Sequence, residues 1–115
     1  MKNHPPQSGD APRHCILVSL FVLSACAGLG DPTGSTCPDT STLTYETFGQ
    51  SFMREHCVSC HQEYSSQEGV QANIDEIDRA AAAGPDAVNT WMPEDRDLSD
   101  HQRQQLGEWL ACGAP

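Results

Sequence analysis

Basic residues are scarce in this chain, and their scarcity excludes a class of function before any motif is read. Lys2 is its single lysine, and six Lys and Arg stand against sixteen Asp and Glu, for a formal charge of −10 at pH 7. A surface of that sign repels phosphate backbones, so nucleic-acid binding is excluded. Aromatic residues make up 6% of the sequence. No stretch alternates apolar and polar residues with a period of two, so no sheet is expected. The longest apolar run, 15–25, falls well short of the roughly 20 residues that a membrane-spanning helix needs. Repeats, coiled-coil heptads, a phosphate-binding loop and a plausible catalytic triad are also missing.

Against these absences stands the run Cys57-Val58-Ser59-Cys60-His61. With six Cys and five His in 115 residues, chance yields roughly 0.01 runs of the form C-x-x-C-H, the attachment signature of c-type haem. Positions three and four apart share one face of a helical turn. Cys57, Cys60 and His61 therefore point together, two thiols towards the haem vinyl groups and an imidazole towards the iron. A thioredoxin-like dithiol requires a βαβ setting, and a zinc site requires a second ligand pair. Neither pattern is present.

Lys2, Arg13 and His14 precede the apolar run, which reads as the hydrophobic part of a secretory signal. It ends in Leu23-Ser24-Ala25-Cys26, which resembles the lipobox of bacterial lipoproteins. That resemblance implies removal of 1–25, lipidation of Cys26, and export to a bacterial membrane facing the periplasm or the cell exterior. The remaining 90 residues carry four Arg and fifteen acidic residues, so their formal charge is 4 − 15 = −11. Redox protein partners with basic docking patches would be steered towards such a surface. Residues 27–41 are rich in Gly, Pro, Ser, Thr and Asp. Together with Cys26, the span 26–43 reads as a flexible tether, its reach about 20 Å for a random coil of that length.

Three helical patterns follow. The first covers 45–60, with Phe48, Phe52 and Met53 on one stripe; the second covers 70–83, with Val70, Ile74, Ile77 and Ala81 inward. Gly84-Pro85 stops it. The third starts at Ser99, where Gln102 completes a capping box; it buries Leu106, Trp109 and Leu110, and Gly113 ends it. The expected fold class is thus all-α. Large apolar side chains in 44–115 are few, and a domain so small usually needs a staple. A covalent porphyrin would serve as one.

These residues together resemble class I cytochrome c across 44–115, which implies three main helices packed around one covalent haem c. Gly49 stands where that family crosses its first and last helices. Met53 occupies the family's usual aromatic position, with Phe52 one residue earlier, a departure from the pattern. Leu106-x-x-Trp109-Leu110 matches the family's last-helix face. The resemblance makes Met92, followed by Pro93, the sixth iron ligand opposite His61. Packing is the alternative role for Met92. Trp91, Asn89 and Thr90 are candidates for the haem edge or propionates, whereas His56 and His101 read as exposed. Cys37 and Cys112 form an even leftover pair in an oxidising compartment, either a disulfide or two separate thiols. The implied activity is single-electron transfer without catalysis. The alternative is a haem enzyme or gas and redox sensor with an open or labile sixth position.

Overall fold

In the computed structural model, the described residues are 29–115. They are helical and contain no strand; an isolated antiparallel bridge joins Ala83 to Val88. Residues 1–25, read above as a secretory signal, and Cys26 lie outside the described residues.

A π-helical turn at Tyr45–Gly49 opens the first helical segment, and α1 (Gln50–His56) continues it. The start is fixed by a capping box, in which the Thr44 hydroxyl accepts from the Thr47 N–H and the Thr47 side chain returns the bond to the Thr44 backbone. The pattern expected to run to residue 60 stops at His56; 57–60 form a turn. A 3₁₀ turn at Gln62–Ser65 leads to α2 (Gln67–Gln71) and α3 (Ile74–Ala81). The single helix expected over 70–83 is therefore two. Asn73 divides them: its side-chain Nδ2 donates to the Gly69 carbonyl at 2.7 Å, the competition with backbone bonding that disfavours Asn inside helices. α4 (Asp100–Ala111) begins at the Ser99–Gln102 capping box and ends before Gly113, whose φ of +89° suits glycine.

The core gathers Phe52, Met53, Tyr64, Val70, Ile77, Leu98, Leu106, Trp109 and Leu110. Trp109 is fully buried, with Phe48 meeting it edge-on at 5.7 Å. A side chain at Gly49 would collide with the Trp109 ring, so glycine there permits α4 to approach the first helical segment closely. Met53 is 1% exposed and packs in this core.

The largest departure from expectation is the supposed tether. Residues 30–35 are folded onto α3 and α4 rather than loose. Thr33 is 1% exposed; its N–H and hydroxyl donate to the Asp78 carboxylate at 2.9 and 2.6 Å. The Gly30 N–H donates to the Arg79 carbonyl, and Arg79 Nε donates back to the Gly30 carbonyl. Ser35 reaches the Ala83 carbonyl, and a side chain at Gly107 would strike Ser35. Small polar residues bury cheaply when each polar group finds a partner, and composition alone does not reveal those partners.

Cys37 and Cys112 are joined as a disulfide, with Cα atoms 4.7 Å apart. The bridge ties the N-terminal segment to the end of α4. Closing a loop of 75 residues removes enough unfolded-chain entropy to stabilise the fold by about 4.5 kcal/mol on the loop-closure model.

Candidate functional site

The turn after α1 is built by its own backbone. Cys57 and Val58 N–H groups both donate to the Met53 carbonyl at 2.9 Å, and the His61 N–H donates to the Cys57 carbonyl at 2.9 Å. That last bond closes one helical-type turn from Cys57 to His61. The Cys57 and Cys60 thiols are unbonded. Burial pushes the Cys57 thiol up to about 11. A redox dithiol needs the opposite shift. Among the described residues no three His, Cys, Asp or Glu side chains converge as a metal cage.

His61 is flanked by two residues that sequence reading did not single out. Its ring stacks on buried Tyr64, centroids 5.1 Å apart and planes 17° from parallel. Its Nδ1 lies 3.1 Å from Glu63 Oε1. A carboxylate that accepts from Nδ1–H fixes the tautomer in which the Nε2 lone pair is free to bind a metal. Glu63 sits below the usual carboxylate range, chiefly through a backbone hydrogen bond and then through His61. Burial, reinforced by Glu76 and Glu63, raises Tyr64 to about 12, so its hydroxyl stays protonated. Spacing was the available signal, since Glu63 and Tyr64 lie two and three residues beyond His61.

These side chains open into a cleft of about 270 Å³, whose walls include Cys57, Cys60, His61, Tyr64, Ile77 and Met92. The volume falls near the lower edge of small-molecule sites, which run from about 300 Å³ upward. Met92, distant in sequence, thus borders the same space as the C-x-x-C-H turn. Its backbone is fixed at both ends: its N–H donates to the Ala80 carbonyl at 3.0 Å, and its carbonyl accepts from Arg103 Nη1 at 2.9 Å. The same Nη1 donates to the Ala81 and Asn89 carbonyls, each at 2.8 Å. Arg103 is 3% exposed. Burial lowers its pKa, against the raising influence of Asp97 and Asp100. Sequence reading missed Arg103, because a helical Arg reads as solvent-facing unless its partners are known.

Three other assignments change. His56, expected to be exposed, lines the cleft instead, 4.9 Å from the Phe52 ring, and its Nδ1 is buried without a hydrogen-bond partner. Asn89 is not free for a haem propionate, because its Nδ2 donates to the Asp31 and Asp78 carbonyls at 2.7 and 2.9 Å. Trp91 is 53% exposed and outside the cleft wall. His101 is exposed.

Two free thiols, an imidazole and a thioether around an apolar recess fit haem c in donor chemistry. Comparison with known protein families, with characterised proteins and with solved structures finds no match.

Proposed function

We propose that the protein is a lipid-anchored monohaem c-type cytochrome that carries single electrons between redox partners at a bacterial membrane. Its helices would then be those of a small class I cytochrome c arranged around one covalent haem. The observation that carries this reading is the shared cleft: Cys57, Cys60, His61 and Met92, which span 36 positions of sequence, border one recess. When bound, haem supplies an Fe(III)/Fe(II) couple. Cys57 and Cys60 would hold it through their sulfurs, and His61 and Met92 would supply an imidazole and a thioether to its iron. With His61 and Met92 both engaged, the iron would have no place for a substrate, which suits a carrier rather than an enzyme. A thioether donor favours the ferrous state and raises the reduction potential relative to two imidazoles. Ile77, Ala80 and Ala81 on the cleft wall keep water from one side of the recess. Glu76, Glu94 and Asp95 edge the same cleft. Their charge suits a redox partner with a basic docking patch, whose on-rate would fall as salt rises.

The test is the optical spectrum of protein made in a host with cytochrome maturation. We expect covalent haem, a low-spin ferric spectrum and an Fe–S(Met) charge-transfer band that disappears in Met92→Ala. A high-spin ferric spectrum with immediate carbon monoxide binding by the reduced protein would instead establish an open-site enzyme or sensor. Colourless, well-folded protein with free Cys57 and Cys60 would overturn the haem reading altogether.

A further inference from the structure

Val88 and Trp91 are the exposed large hydrophobic residues among the described part of the chain, 60% and 53% accessible. Single exposed apolar residues are ordinary on protein surfaces. These two, however, belong to one loop, and that loop is the one against which the N-terminal segment leaves the fold. Asn89, between them, holds the Asp31 carbonyl through its Nδ2 at 2.7 Å. A side chain at Gly30 would collide with Asn89. Leu29 borders the cleft together with Met92 and Pro93.

The chain length outside this anchorage is short. Cys26 is three residues before Leu29. Three residues span at most about 11 Å even when fully extended. The fifteen-residue tether expected from composition would have allowed a domain to float and turn freely. Folding of 30–35 onto α3 removes that freedom, and the acylated end must lie within about 11 Å of Leu29. We infer that the 88–91 loop, bearing Val88 and Trp91 beside the chain exit at Leu29, rests on the lipid bilayer that holds Cys26. The inference rests on the anchor assigned under the proposed function. Tryptophan suits the headgroup region, where its ring is apolar and its N–H remains wet. Asp86 precedes the loop, and Glu94, Asp95 and Asp97 follow it. These charges resist anionic lipid, so the contact is with zwitterionic headgroups and stays shallow. The cleft edge at Glu94 and Asp95 is then held beside the membrane surface, which favours partners resident in that membrane over freely diffusing ones.

The experiment uses full-length, haem-loaded, reduced protein on phosphatidylcholine vesicles, with a nitroxide label at Val88→Cys or, for comparison, at Glu46→Cys. Glu46 is exposed in the π-helical turn that opens the first helical segment. The ratio of oxygen to water-soluble nickel-chelate accessibility is read at each label. We expect a severalfold higher ratio at position 88 than at position 46, and a fall at position 88 when Trp91→Ser is added. Equal ratios at the two positions on acylated protein overturn the inference and leave the haem carrier and its anchor intact. An unacylated N-terminus, detected by mass spectrometry, overturns the anchor and this inference together. Protection of position 88 in native membranes but not on protein-free vesicles would assign the loop to a protein partner, and so also overturns it.

Discussion

The two walls of the cleft are made in different ways. The wall at 57–61 is local: its bonds run from Met53 to Tyr64, and a twelve-residue peptide contains every backbone partner. The wall at Met92 is assembled from afar. It depends on Ala80 at the end of α3, on a guanidinium from α4, and on Asn89, which also binds Asp31 near the start of the described chain. One wall can be read as a motif, whereas the other exists only after the whole domain has closed. The prediction is that stability and Met92 placement respond strongly to changes behind the second wall and weakly to changes in the first.

Arg103→Met gives the largest expected effect. Three carbonyls, of Ala81, Asn89 and Met92, lose their common donor. Each orphaned buried carbonyl costs about 1–3 kcal/mol, and relief from burying a cation offsets part of the sum. A net loss on the order of 3 kcal/mol is expected in denaturant unfolding. In haem-loaded protein the Fe–S(Met) band should weaken or vanish while haem attachment at Cys57 and Cys60 survives. Ser59→Ala, on the local wall, should cost less than about 0.5 kcal/mol because Ser59 is exposed and its hydroxyl faces only the Cys60 sulfur at 3.9 Å. Equal losses in the two variants would erase the distinction between the walls.

The same distinction explains what was legible in the sequence. The C-x-x-C-H turn, the Ser99 cap, the Gly113 stop and the apolar stripes are short-range signals, and each reappears as a turn, cap, helix end or core face. The break at Asn73 was missed because a good inward stripe masks one side-chain-to-backbone bond. Arg103 and Asn89 were illegible for a different reason. Their roles are set by carbonyls 11 to 58 positions away, and nothing in an Arg or Asn within its local stretch announces such partners. The segment at 30–35 is the extreme case. Its composition is that of a linker, yet its conformation is set by Asp78, Arg79 and Asn89.

Asp78→Ala tests that segment and has an intermediate expected effect. The carboxylate accepts both Thr33 bonds, and removing it leaves the buried Thr33 N–H without a partner, while the hydroxyl keeps the Ser35 hydroxyl at 2.8 Å. Charge-assisted bonds of this kind contribute about 1.5–3 kcal/mol, and water entering at the N-terminal edge offsets some of the loss. A destabilisation of about 1–2 kcal/mol is expected. Amide exchange should accelerate over 30–36 while α1 and the 57–61 turn keep their protection. Uniform acceleration through the whole domain would mean that the segment is integral to both walls, not to the distal one alone.

A pH-dependent effect is expected at His56, where the local wall meets the cleft. Burial lowers its pKa below the ordinary 6.5; Glu55 opposes that shift and Arg96 adds to it. The unfolded chain therefore takes up this proton before the folded one does as pH falls. The stability that neutral His56 confers is complete above pH 6.5 and is lost as pH falls through the lower folded-state value. Its Nδ1 has no partner that a proton would satisfy, and Glu55 lies 3.7 Å away on the Nε2 side, too exposed to compensate fully. Urea midpoints measured between pH 8 and pH 5 should therefore fall more in the wild type than in His56→Gln, which cannot titrate. Parallel pH profiles would show that the ring escapes to water on protonation, and that even the locally built wall opens more readily than its short-range bonds imply.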